Sequence, residues 1–129
     1  VMPAFRRRPA AEGIAAMQAI NSAILNPLFG VVFGGTTVLC LVLAVTAPFT
    51  TDESHATLRA IGSVLYVVGV LGVTMVVNVP MNNALDTVEP GSDEGATYWR
   101  EYLRQWTAWN HLRALLGTAA SVLLILAVR

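Results

Sequence analysis

The chain has no lysine, a single cysteine, two histidines and little charge, with only 12% of its 129 residues Asp, Glu, Lys or Arg. Each shortage excludes something. All eight basic residues are arginine and eight acids balance them, so no net basic field exists to attract nucleic acid. Cys40 has no internal partner for a disulfide and reads as a small apolar packing residue in mid-span. With His55 and His111 at opposite ends of the pattern, a metal cage of ordinary ligand number is hard to assemble. Glycine-rich phosphate loops and nucleophile-elbow signatures are missing as well. The expectation is a protein with no metal, no bound cofactor and no nucleic-acid partner.

What the chain has in abundance is apolar length. Hydrophobic residues make up 55% of it and the mean hydropathy is +0.61. No charged residue occurs from Gly13 to Thr51 or from Ala60 to Leu85, and each stretch exceeds the roughly 20 residues that cross a bilayer as helix. A third run, Ala114 to Val128, reaches spanning length only by including Trp106 to Arg113, so its first turns belong at an interface or inside protein. The sequence therefore predicts an all-α, polytopic membrane bundle forming a single domain over residues 1–129. Three spans and an N-terminal amphipathic helix make four helices overall.

Along the chain, Arg6, Arg7 and Arg8 between Pro3 and Pro9 predict an extended basic segment flanking the membrane. From Ala10, Ile14, Met17, Ile20 and Ile24 share one helical face. Asn26 and Pro27 read as cap and first position of span A, which stops at Pro48. Asp52 or Ser54 is available to cap span B, about Ala56 to Val79, which Pro80 is expected to end. Gly30 and Gly34 on span A, and Gly62, Gly69 and Gly72 on span B, make two surfaces for close helix contact. A final helix is predicted unbroken from about Asp93 to Val128, amphipathic first and apolar later. Arg6, Arg7, Arg8, Arg100 and Arg104 fall at one end of this arrangement and Arg59 and Arg129 at the other, so the first end should be cytoplasmic, in a bacterial inner membrane. Trp99, Trp106 and Trp109 fit an aromatic belt at that end, with anchoring their expected role.

The polar residues that break the apolar pattern gather at the same end. Asn78 closes span B, Asn82 and Asn83 follow Pro80, and Asn110, His111 and Arg113 open the third span. Trp106, Asn110, Arg113, Gly117 and Ser121 recur at three- or four-residue spacing, hence on one helical face. An ionisable side chain at membrane depth marks a candidate site. Taken singly, an asparagine at a helix end is an ordinary cap, and an arginine there snorkels to phosphate. Taken together, polar groups this deep require partners, and several segments converge to supply them.

Val1-Met2-Pro3-Ala4, Met17-Gln18-Ala19-Ile20-Asn21 leading to Asn26-Pro27, Asn78-Val79-Pro80-Met81-Asn82-Asn83-Ala84-Leu85 and Trp106-Thr107-Ala108-Trp109-Asn110-His111-Leu112-Arg113 resemble the anthrone oxygenase family, long catalogued as a domain of unknown function. The resemblance covers nearly the whole chain. It implies a four-helix membrane fold and, as in some fungal members, oxidation of a polyketide anthrone to an anthraquinone by O2. Carried over by motif, Asn78, Asn82, Trp106, Asn110 and Arg113 form the family's polar set. Family members usually carry another span before the Val-Met-Pro segment, where this chain starts. The expectation is a fragment or short form, or a first span lost upstream of an alternative start, with a second copy or a separate helix in its place.

The chemistry such a site needs is modest. An anthrone has an acidic methylene, and removing one proton gives an electron-rich enolate that reacts with O2 without metal or flavin. His111 is the candidate base, histidine being the side chain that ordinarily changes protonation near neutral pH. Arg113 with Asn82 and Asn110 would stabilise the oxyanion, and Trp106 and Trp109 would stack on a flat tricyclic ring. The alternative is a non-catalytic membrane module whose asparagine and arginine set holds a lipid headgroup or a partner helix. Either way the partners expected are a small aromatic or lipid-like ligand, membrane lipid and another helix.

The topology has a direct test. Single cysteines at Ser92 and Ser54, in a Cys40→Ala background, should react with an impermeant thiol reagent from opposite faces of the membrane. Reaction of both from one face would rule out three spans.

Overall fold

A chain in lipid must satisfy its backbone polar groups within each segment, and the computed structural model, which describes residues 2–49 and 53–129, meets that demand with helices throughout. A single turn, α1 (Met2–Phe5), precedes α2 (Ala10–Ile24). Next comes α3 (Pro27–Thr46), prolonged by a 3-10 turn over Ala47–Phe49. The last two, α4 (Glu53–Asp86) and α5 (Asp93–Leu126), are 34 residues each. By length and composition, Pro27–Phe49, Glu53–Asp86 and Asp93–Leu126 suffice to cross a membrane. This is an all-α bundle and an integral membrane protein.

The helix starts follow local chemistry. Asn26 is extended, with φ −103° and ψ 158°, and its Oδ1 accepts from the Phe29 N–H at 2.9 Å. Ser92 does the same for Gly95 at 2.9 Å, ahead of Asp93 and Glu94 in the first turn, where acids complement the helix dipole. The cap expected of Asp52 lies outside the described residues, and Ser54 sits within α4.

Two expectations require correction. The segment before Pro9 is not wholly extended: Met2–Phe5 forms a helical turn, and burial of Met2, 7% exposed, in the core accounts for it. Nor does Pro80 end span B. The backbone is α-helical over Glu53–Val64, π-helical over Leu65–Gly72 and Thr74–Asn78, and α-helical again over Val79–Asp86. In an unbroken α-helix the proline ring would strike a carbonyl one turn earlier. The wider π turn ahead of it provides the room, so the helix continues.

Packing divides the molecule into two zones. Met2, Ile14, Met17, Leu85, Trp99, Tyr102 and Leu103 form a core between α2, the end of α4 and the first half of α5. Gly13 lets the α2 backbone lie on the Trp99 ring, where an added methyl would fall 2.5 Å from Cζ2. Gln18 Nε2 donates to the Leu85 and Val88 carbonyls at 2.9 and 3.0 Å, covering the end of α4. Beyond this zone the apolar side chains face outward: Val31, Val76 and Leu115 are 71%, 74% and 70% exposed, the state of residues that meet lipid. At about 1.5 Å per residue, α5 is roughly 50 Å long, well over the hydrocarbon thickness of about 30 Å. Its amphipathic first half carries the core.

Of the two glycine surfaces, the one on α4 is filled by α5 at Gly62 and Gly69, while Gly72 meets only the Val67 carbonyl of its own helix. A methyl at Gly69 would lie 2.6 Å from Leu116 Cβ, one at Gly62 3.2 Å from the Ala120 carbonyl, and one at Gly117 3.2 Å from Val70. Gly30, Gly34 and Gly35 on α3 face open space. Gly69→Leu should therefore cost about 1–3 kcal/mol or more through overpacking, measured as loss of thermal stability in detergent. Gly34→Leu should leave the melting temperature of the monomer unchanged.

Candidate functional site

Each helix contributes to a cavity of about 610 Å³ beside the core, at the α2 end of the bundle, within the size range of small-molecule sites. One wall is apolar: Met17, Ile20, Ile24 and Leu25 from the end of α2, and Phe29 from the start of α3. Its polar lining comes mainly from two helices: Thr74, Asn78 and Asn82 from α4, and Trp106, Asn110, His111 and Arg113 from α5, with Asn21 from α2. Met2, Pro3 and Arg6 lie along one margin.

Of the residues singled out in the sequence, Asn78, Asn82, Trp106, Asn110, His111 and Arg113 all line this one cavity. His111 is exposed, whereas Arg113 is half-buried. Trp109, 40% exposed, is not part of the wall. Trp99 is not an interfacial anchor. It is 2% exposed, because α2 folds across the first half of α5 and covers it. Trp99, Tyr102 and Trp106 instead stack along α5, with centroid separations of 5.4 and 6.2 Å and interplanar angles of 13° and 24°. That ladder places the last ring at the cavity.

The hydrogen bonds differ from the simplest expectation. Arg113 does not reach Asn82. Its Nη2 donates to Asn110 Oδ1 at 2.6 Å and its Nη1 to Thr74 Oγ1 at 3.2 Å. Asn82 Oδ1 accepts from Tyr102 Oη at 2.7 Å and from Trp106 Nε1 at 2.8 Å. Both hydrogen-bond partners of the guanidinium are neutral, and no carboxylate among the described residues pairs with it. Asn78 is the other anomaly. It is 2% exposed, yet neither its Nδ2 nor its Oδ1 has a partner, a costly arrangement for a buried amide. Asp86, also on the wall, accepts from Asn21 Nδ2 at a long 3.4 Å. No cluster of three or more His, Cys, Asp or Glu among the described residues is placed to hold a metal ion.

Thr74, Tyr102, Asp86 and Asn21 were not singled out from the sequence. A signal for them existed. Thr74, Asn78, Asn82 and Asp86 recur every four residues, a polar line along α4, and Tyr102 precedes Trp106 by four on the face already identified. The expected break at Pro80 divided the α4 line.

Together the three apolar helices of membrane-span length fit a helical integral membrane protein, with a cavity at one end of the bundle. A family profile described as Anthrone oxygenase matches residues 27–123, and the chain belongs to that family. No curated protein and no solved structure is significantly similar to it. The matched range contains Thr74, Asn78, Asn82, Trp106, Asn110, His111 and Arg113, while α1 and α2, which close the cavity, precede it.

An amide kept buried and unpartnered costs stability that a ligand would restore. Asn78→Leu, similar in volume and with nothing to satisfy, should raise the stability of the empty protein by about 1–3 kcal/mol. A thermal melt in detergent reads this, and a fall in melting temperature would show that Asn78 is structural.

Proposed function

We propose that the cavity is a small-molecule pocket at the cytoplasmic leaflet, and that the protein uses it for cofactor-independent, O2-dependent oxidation of an anthrone-like aromatic. One observation carries this reading above the others: Arg113 lies half-buried in the cavity wall with only neutral partners, Asn110 and Thr74. A cation so placed favours an oxygen that gains negative charge, because it and the surrounding N–H dipoles are already oriented.

The reaction follows from that arrangement. A base removes one methylene proton from the substrate, and His111 on the wall is the proposed base. The resulting enolate places its charge on the ring oxygen near Arg113, with Asn82 and Asn110 alongside. Its carbanion carbon passes electrons to O2 and forms a hydroperoxide. Loss of water leaves a carbonyl, so CH2 and O2 become C=O and H2O. Trp106, at the end of the aromatic ladder, offers a face for the flat ring. Trp109 lies off the wall and is left out of the proposal.

Several features support the setting. The arginines Arg6, Arg7, Arg8, Arg100 and Arg104 on one side support a cytoplasmic α2 end in a bacterial inner membrane. The open face at Gly30, Gly34 and Gly35 supports a homo-oligomer or a partner helix against α3. A second reading, a non-catalytic module that holds a lipid phosphate on Arg113, draws on the apolar wall of Ile24, Leu25 and Phe29, which suits an acyl chain.

Purified protein supplied with an anthrone and O2, followed by quinone absorbance against the uncatalysed background, tests the first reading. Arg113→Leu should lower turnover by about 100-fold while the helices stay folded, the effect of losing a charged donor in a site of low dielectric. Arg113→Lys should rescue it poorly, since an ammonium lacks the planar fork. His111→Ala should lower turnover more than binding. Normal oxidation by Arg113→Leu would defeat the proposal, and lipid phosphate retained on wild type without turnover would favour the second reading.

A further inference from the structure

The amides of the polar wall have orientations that their neighbours impose. Trp106 Nε1 can only donate, so the Asn82 atom 2.8 Å from it is the amide oxygen, and Tyr102 Oη donates to that same oxygen at 2.7 Å. Arg113 can also only donate, so the Asn110 atom 2.6 Å from its Nη2 is likewise an oxygen. The Thr74 hydroxyl is used in both senses, donating to the Val70 carbonyl at 2.6 Å and accepting from Arg113 at 3.2 Å. Both amide oxygens are thus engaged inside the protein. The Nδ2 groups of Asn82 and Asn110 have no acceptor among the described residues. To whatever fills the cavity, this part of the wall presents N–H groups. Asn78 is buried beside them with both amide atoms unpartnered.

We propose that the cavity holds an aromatic oxyanion, either the enolate that His111 generates there or an ionised phenol, with its oxygen among the N–H groups of Asn82, Asn110 and Arg113, and that Tyr102 is a positioning residue that holds Asn82 in its donor orientation. This rests on the reading of the cavity as a small-molecule pocket, and deepens it by naming the ionisation state bound. At the Asn82, Asn110 and Arg113 part of the wall a neutral phenol would leave its own hydrogen facing donors, the acceptors of the lining, Asn78 Oδ1 and the Asp86 carboxylate, lying elsewhere on it. An oxyanion accepts from all of them, in bonds about twice as strong as neutral ones. Tyr102 is 1% exposed and stacked between Trp99 and Trp106, so its hydroxyl is fixed in place while its ring does the packing.

The test uses flat tricyclic probes on purified protein in lipid nanodiscs. These are 2-hydroxyanthraquinone at a pH where it is ionised, its methyl ether, and anthraquinone-2-carboxylate. Wild type should bind the phenolate about tenfold or more tighter than the ether. Tyr102→Phe keeps the ring and loses the hydroxyl, and should weaken the phenolate several-fold while leaving the ether unchanged. Asn82→Asp, which replaces donors with an acceptor, should reverse the preference between the two.

Equal binding of phenolate and ether by wild type would overturn the proposal and leave the pocket reading standing. Equal weakening of both probes by Tyr102→Phe would show that residue to be merely structural and overturn its positioning role. A carboxylate bound tighter than the phenolate would overturn the phenol or enol assignment. Failure of all three probes to bind would remove the pocket reading itself.

Discussion

The close contact between α4 and α5 is the constraint on which the cavity depends. Gly69 receives Leu116 at a distance that leaves no room for a methyl group, and Gly117 receives Val70, where a methyl would be tight at 3.2 Å. The next turns along these two helices carry Thr74 and Asn78 on one side and Asn110 and Arg113 on the other. The same close approach sets the 3.2 Å contact between Arg113 and Thr74. Lipid supplies no hydrophobic drive to press helices together, so small residues that allow close van der Waals packing take over that task.

Above that contact the second constraint is the π-helical stretch. It adds the width that lets α4 accommodate Pro80, and it places Thr74 and Asn78 within the widened turns. The same departure from α geometry therefore lengthens the helix and arranges part of the site. α2 then completes the enclosure. Gln18 covers the last carbonyls of α4 while Ile20 and Ile24 form the apolar wall. The core around Ile14, Leu85 and Tyr102 holds these pieces in register.

The polar groups inside this frame are unevenly satisfied. Asn82 and Asn110 have their oxygens engaged, Arg113 has neutral partners only, and Asn78 has none. A structural network would be expected to close on itself, since an unpartnered group in a medium of low dielectric costs more than a partnered one gains. In this wall the oxygens of Asn82 and Asn110 are engaged by protein donors while their Nδ2 groups have no acceptor among the described residues. That asymmetry is the physical basis for reading it as a binding surface.

The sequence by itself determined the membrane class, the three long helices, the Asn26 start, and the gathering of Asn78, Asn82, Asn110 and Arg113 at one end. Those features follow from local rules: apolar length, cap chemistry and the three- or four-residue spacing of a helical face. It led wrongly at Pro80, where a rule about α-helices met a backbone that is not α-helical, and at Trp99, whose exposure depends on α2 crossing it. Only the tertiary structure decided that Tyr102 and Trp106 hold Asn82, that Arg113 turns to Thr74, and that Trp109 stays outside. Partners of that kind are chosen by the rotation of α4 against α5, to which residues tens of positions apart contribute, and no local pattern records it.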